Sequence, residues 1–125
     1  MIVRDAMKKA VVIDKTIKLK DAARVMSKKR IGSLIFIKGN KIKGILTETD
    51  ILKNVSKLDS EITSVMSKNV ISIDEGESLD NAAIAMSKHK IKRLPVTRKN
   101  KLVGIITATN LLAYADELNE NFLLG

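Results

Sequence analysis

Apolar positions along this chain alternate between a helical and a strand period, and the alternation is written twice. Leu19, Ala22, Ala23 and Met26 are spaced i, i+3, i+4, i+7, which puts them on one helical face. Leu79, Ala82, Ala83 and Met86 repeat that spacing, and the paired alanines predict close approach of another backbone. After each helix comes a β-rich run, residues 33–37 and 93–97, then a short polar stretch, Lys38-Gly39-Asn40-Lys41 and Arg98-Lys99-Asn100-Lys101. Such stretches suit hairpin turns, with return strands over 42–47 and 102–107. A second helix follows in each half, carrying Ile51, Leu52 and Val55, or Leu111, Leu112 and Ala115. A short extended stretch, residues 11–13 and 70–73, precedes the first helix. The predicted order is β-α-β-β-α, twice.

The halves are copies of one unit. Shifting the sequence by sixty residues superposes 14–52 on 74–112 without a gap, with sixteen identities in thirty-nine positions. Among them are Leu19/Leu79, Met26/Met86, Asn40/Asn100, Gly44/Gly104, Thr47/Thr107 and Thr49/Thr109. Met7 matches Met66 at an offset of fifty-nine, so one residue was gained or lost between. Two units argue against a solenoid and for a pair related by a pseudo-twofold axis. The repeats are taken as 1–60 and 61–125, together one compact module. The connection at 58–61 lacks a Gly or Pro run and reads as tight.

Composition narrows the class. Of 125 residues, 45% are apolar, enough for a real core, and only 2% are aromatic, so that core must be aliphatic. No apolar run approaches the ~20 residues of a membrane helix, and Met1–Asp5 lacks the apolar segment of a signal peptide. Cysteine is absent, which excludes disulfides and thiolate metal sites. A cytoplasmic location is the expectation, with no membrane association. The net charge of +9 lies entirely in residues 1–60. That basic half suits anions (nucleotides, nucleic acid or an acidic partner) as well as plain solubility.

Chemistry concentrates at the strand-to-helix corners, Gly44 to Asp50 (GILTETD) and Gly104 to Asn110 (GIITATN). Free backbone N–H groups gather at such a corner, Thr47 and Thr49 offer hydroxyls, and Asp50 can accept from the two hydroxyls of a ribose diol. The same Thr-x-x-Asp spacing is also a helix-capping arrangement, and the spacing alone leaves both readings open. Lys88 to Arg93 is a basic turn that can present cations to phosphate or simply be solvated. His89 is the sole histidine and is expected at the surface, with no partner for a metal or a triad. Met7, Met26, Met66 and Met86 suit core filling. Gly44 and Gly104 suit close packing rather than a phosphate loop. No nucleophile elbow or phosphate-cradling loop is present, so catalysis finds little support.

These marks together resemble the cystathionine β-synthase (CBS) domain in its tandem-pair form, over nearly the whole chain. They are VRDAM at Val3–Met7, SVMSKNVISI at Ser64–Ile73, the stretches Leu19–Ile37 and Leu79–Val96, and the two corners. The resemblance implies an α/β (α+β type) fold whose repeats pack about a pseudo-twofold axis and leave two clefts for adenosine compounds: AMP, ADP, ATP or S-adenosylmethionine. It implies that cleft one uses Thr47, Thr49 and Asp50, with Val70 and Ile71 lining the adenine. It places Thr107, Thr109 and Asn110, with Val11 and Val12, at cleft two. The resemblance also places Lys92 and Arg93 where the family often carries phosphate-binding basic groups, and Gly32 and Ser33 are their uncharged counterparts. Asn110 departs from the pattern. An amide can still bond a diol, but without a charge-assisted bond. Cleft two is therefore expected to be weaker, altered or empty, or to prefer a more anionic ligand, and the sequence leaves this open.

The reading is a regulatory, non-enzymatic binder of an adenosine-containing ligand, without cofactor or metal, dimeric through its helices and signalling to a protein partner of unknown identity. Because the sequence ends at Gly125, the regulated activity is expected on another chain. Two alternatives stand beside it: a basic nucleic-acid-binding module, and a dimerisation scaffold without a ligand. The residues Leu111, Leu112, Ala115, Leu118 and Phe122 are expected to pack at home or on a partner.

Overall fold

The computed structural model describes residues 1–114, so the expectations for Ala115, Leu118 and Phe122 lie outside the described residues. The chain forms α1 (Val3–Ala6), β1 (Val12–Ile13), α2 (Leu19–Lys29), β2 (Ser33–Lys38), β3 (Lys41–Thr47) and α3 (Glu48–Lys53). Two short 3-10 turns, Val55–Lys57 and Ile62–Ser64, lead to β4 (Ile73–Asp74), α4 (Leu79–His89), β5 (Arg93–Arg98) and β6 (Lys101–Thr107). Residues 108–114 are helical. The class is mixed α and β, with two separate three-stranded sheets of order β1-β2-β3 and β4-β5-β6. In each, the first pair is parallel and the second an antiparallel hairpin.

Contacts divide the chain into two compact units. Unit one is Ala10–Val70; unit two is Met1–Lys9 together with the chain from Ile71 onward. Each unit thus completes itself with a segment lying before the other repeat's first strand. In unit two, Lys8 exchanges two backbone hydrogen bonds of 2.8 Å with Ile105, and Arg4 N donates to Glu75 O at 2.9 Å. Ser67 exchanges two bonds of 2.9 Å with Ile45 in unit one. These segments satisfy part of the open edge of β3 and β6, which would otherwise be free to pair.

The core of unit one gathers Leu19, Ala22 and Met26 of α2 against Leu34 of β2, Leu46 of β3 and Ile62. In unit two Ala82 and Met86 of α4 meet Leu94, Val96, Ile106 and Ile73, with Val3 and Ala6 of α1 buried beside them. Strand alternation explains the choice, since Leu34 and Phe36, like Leu94 and Val96, share the face turned to the helix. The second alanine of each pair is less covered: Ala23 is half-buried and Ala83 exposed.

Local chemistry sets the helix limits. Ser78 caps α4, its hydroxyl accepting from Asn81 N at 3.0 Å. Lys18 at the same place before α2 has no such oxygen, and the orphan donors go to the connecting segment instead. Leu19 N reaches Ser60 O at 2.8 Å and Lys20 N reaches Leu58 O at 2.9 Å. These bonds hold residues 58–60 against the start of α2, inside unit one. Lys20 also pairs with Asp59 at 2.8 Å, and this hydrogen bond, then the lysine's charge, hold the Asp59 carboxyl below its ordinary range. Both helices end on a left-handed residue, Arg30 and Lys90, each at φ 54°.

One expectation shifts. The extended stretch over 70–73 becomes the two-residue strand Ile73–Asp74. Its central neighbour β5 carries Pro95, which has no N–H to donate, whereas the matching Ile35 donates to Val11 O at 3.1 Å. Parallel pairing therefore starts at Val12↔Ile35 in unit one but only at Ile73↔Val96 in unit two.

Candidate functional site

The corner of unit one lies where β3 passes into α3. Thr47 is the N-cap of α3, and Asp50 is its third helical residue. One carboxylate oxygen, Asp50 Oδ2, accepts both from Thr47 N at 2.8 Å and from Thr47 Oγ1 at 3.1 Å, while Asp50 N donates to Thr47 Oγ1 at 3.3 Å. Asn54 Nδ2 donates to Asp50 O at 2.7 Å and closes the turn below. The capping reading of Thr-x-x-Asp is therefore realised. It leaves Asp50 Oδ1 with no hydrogen bond among the described residues, and half-buried Asp50 presents a charged acceptor. Thr49 is exposed.

The corner of unit two is built alike but polarised the other way. Asn110 Oδ1 accepts from Thr107 N at 3.0 Å, and Asn110 N donates to Thr107 Oγ1 at 3.2 Å. The cap fixes the amide's orientation, because only its oxygen can accept from a backbone N–H. What Asn110 turns outward is the NH2 group, a donor, with no acceptor among the described residues. Asn110 Oδ1 already accepts one bond from Thr107 N, which leaves it one lone pair and no charge to offer a diol.

Strand register and backbone bonds bring four of the remaining candidates, Gly32, Ser33, Lys92 and Arg93, to the corners. Ser33 lies opposite Thr47 and Arg93 opposite Thr107, so each pair shares a sheet face. Glu48 N donates to Gly32 O at 3.1 Å, and Ala108 N to Lys92 O at 2.8 Å. Ser33 is only 8% exposed, whereas Lys92 is exposed. Val70 lies at the end of unit one and Ile71 at the start of the second segment of unit two, both half-buried. Val11 is half-buried in unit one, and Val12 is 41% exposed. Ile71 and Val11 also pack on their own units' cores.

Two further features border these corners. A groove of about 450 Å³ runs between α2 and α3, lined by Ala23, Met26, Arg30, Gly32, Glu48 and Leu52. Leu52 is 73% exposed and its counterpart Leu112 65%. Each central glycine seats a methionine. A Cβ on Gly44 would meet Met66 Sδ at 2.5 Å, and one on Gly104 would meet Lys8 O at 2.8 Å and Met7 Sδ at 2.9 Å. The glycines are close-packing positions, as their place within strands suggests. Among the described residues no group of three His, Cys, Asp or Glu side chains is arranged to hold a metal, and no helix is long and apolar enough to cross a membrane. His89 is exposed, as expected.

Asn54, Glu48 and Ala108 were not among the residues expected at the corners. Asn54 buttresses Asp50 through a helical backbone contact with no composition signal. The Glu48/Ala108 difference was readable by laying one repeat on the other.

A CBS domain is recognised twice in the sequence, over residues 3–57 and 61–117. The chain belongs to the CBS domain family. It is 31% identical over 106 residues to the uncharacterized protein MJ1232 of Methanocaldococcus jannaschii, covering 83% of this chain and 36% of that protein. It is 32% identical over 113 residues to the L-aspartate semialdehyde sulfurtransferase of the same organism, covering 88% and 22%. This CBS chain thus spans about a third or less of the length of those relatives. Among solved structures it is similar to the CBS domain pair of protein MJ0100 in complex with 5′-methylthioadenosine and S-adenosyl-L-methionine. The TM-score is 0.87 at 30% identity, over 94% of this chain and 97% of that one.

Proposed function

We propose that this chain is a regulatory module that binds an adenosine-containing ligand (AMP, ADP, ATP or S-adenosylmethionine) and passes the change to a protein partner, without catalysing a reaction itself. The observation that carries the reading is Asp50. Its Oδ2 is occupied by the cap and its Oδ1 stands open as a charged acceptor, as a ribose hydroxyl needs. The likeness to a CBS pair holding 5′-methylthioadenosine and S-adenosyl-L-methionine supports the choice of ligand class. Thr47 acts by aiming Asp50, Thr49 supplies an exposed hydroxyl, and Val11, Val12, Val70 and Ile71 are the residues we assign to the adenine. We keep 1–60 and 61–125 as the two repeats, the cytoplasm as the compartment, and a homodimer formed through the helices. The exposed Leu52, Ile84 and Leu112 support that dimer.

Signalling requires a ligand that binds two states unequally. The test is thermal unfolding against AMP, ADP, ATP, S-adenosylmethionine and NAD at low and moderate salt, repeated on Asp50→Asn. A ligand at about one hundred times its Kd adds ~2.7 kcal/mol. The variant keeps the cap in the manner of Asn110, so its unliganded stability should move by no more than about 0.5 kcal/mol while the ligand-induced shift is lost. Unchanged affinity in Asp50→Asn removes the ribose assignment. No shift with any compound removes the sensor reading and leaves the scaffold.

A further inference from the structure

The two corners differ more than the exchange of Asp50 for Asn110 suggests. Four positions change together. Gly32, Ser33, Glu48 and Asp50 of unit one become Lys92, Arg93, Ala108 and Asn110 of unit two. The backbone ties each set to its corner, through Glu48 N to Gly32 O and Ala108 N to Lys92 O, and through the facing pairs Ser33↔Thr47 and Arg93↔Thr107. Unit one therefore places two carboxylates and no cation at these positions, and unit two places two cations and no carboxylate. The contrast opposes the net charges of the units. Ala10–Val70 carries thirteen Lys/Arg against six Asp/Glu, while the rest of the chain carries ten against eight. A general basic surface does not account for it.

Hydrogen bonding is polarised in the same sense. In unit one the Thr47 hydroxyl spends its proton on Asp50, so the pair offers an acceptor, Asp50 Oδ1. The Thr107 hydroxyl accepts from Asn110 N and makes no bond with the Asn110 side chain, so the pair offers the Thr107 proton and the Asn110 NH2. A phosphate oxygen carries negative charge and only accepts. It is repelled by Asp50 and matched by Asn110 with Lys92. A sugar hydroxyl donates, and the carboxylate is its better partner.

We infer that the two corners are specialised for different ligands. The Thr47–Asp50 corner takes a nucleoside that bears no phosphate, and the Thr107–Asn110 corner takes the phosphate of a phosphorylated one. Asn110 and Lys92 are the specificity-determining residues. The inference rests on the proposed adenosine binding and adds which form of ligand each corner accepts.

Amide NMR on the full chain tests it, with adenosine, AMP and inorganic pyrophosphate as probes. Adenosine should move the signals of residues 47–50, and pyrophosphate those of residues 92 and 107–110. AMP should favour the second set. Asn110→Asp and Lys92→Gly should each weaken AMP there by about ten-fold or more and leave adenosine at residues 47–50 unchanged, with the rest of the spectrum confirming the fold. If AMP prefers residues 47–50, if pyrophosphate moves both corners alike, or if the two replacements leave AMP binding unchanged, the specialisation is wrong while adenosine binding stands. If neither adenosine nor AMP moves either corner, the proposed function and this inference fall together.

Discussion

At the scale of single residues, the two central glycines show how one sequence feature acquires two different strengths. Gly44 and Gly104 occupy the same place in the repeat and both face a methionine, Met66 and Met7. The obstacle differs. At Gly44 it is the flexible end of Met66, which can swing aside. At Gly104 it is also the carbonyl of Lys8, held by its two bonds with Ile105. Gly104→Ala should therefore cost about 1–3 kcal/mol as an overpacking change, and Gly44→Ala less, in denaturant unfolding of each variant. Equal losses would mean that the Lys8 bridge yields as easily as a methionine side chain. The glycines themselves were legible as packing positions in strands. Their partners were not, because Met7 lies ninety-seven residues from Gly104.

Among the elements, α2 and α4 are the most instructive pair. They have equal lengths and share six of eleven residues, yet one starts on a serine cap and the other on carbonyls of residues 58 and 60. Both end with a left-handed residue that bears a Cβ, Arg30 or Lys90, where glycine is the usual choice. Left-handed backbone costs a non-glycine residue about 1–2 kcal/mol. Lys90→Gly and Arg30→Gly should each raise stability, by about 1 kcal/mol at most once glycine's extra unfolded-state freedom is subtracted. Chemical denaturation checks this, and a loss would show that the cation at the helix end matters more than the strain. The helix periods were plain in the sequence. The ends were less so, because neither basic residue advertises a left-handed cap.

On the scale of the whole molecule, the exchange of segments matters most. Val3 and Ala6, near the start of the chain, are fully or almost fully buried in the core of the unit that begins again at Ile71. Glu75, only 7% exposed, meets Arg4 at 3.9 Å and Arg98 at 3.7 Å and anchors the same segment. Removing residues 1–9 should open the core around Ile73, Leu94 and Ile106. Hydrogen exchange should then show protection lost chiefly in 71–114 and largely kept in 10–70. Equal loss in both units would mean that they unfold as one cooperative body whatever segment is removed.

The sequence by itself determined the duplicated β-α-β-β-α order, the hairpin turns, the aliphatic core faces and the location of both corners. All of these follow from local period or from comparing one repeat with the other. It also held the four exchanges that separate the corners, Glu48/Ala108 among them. Tertiary structure decided which chain segment completes which unit, because an edge strand pairs with whatever backbone reaches it and no local pattern names that partner. It decided that Pro95 shifts the pairing of β4 by one residue, since a missing donor matters only once the neighbouring strand is in place. It also decided what Asp50 and Asn110 present. Each side chain first satisfies a backbone N–H at the start of its helix, and only the atom left over, an oxygen in one and an NH2 in the other, faces outward for chemistry.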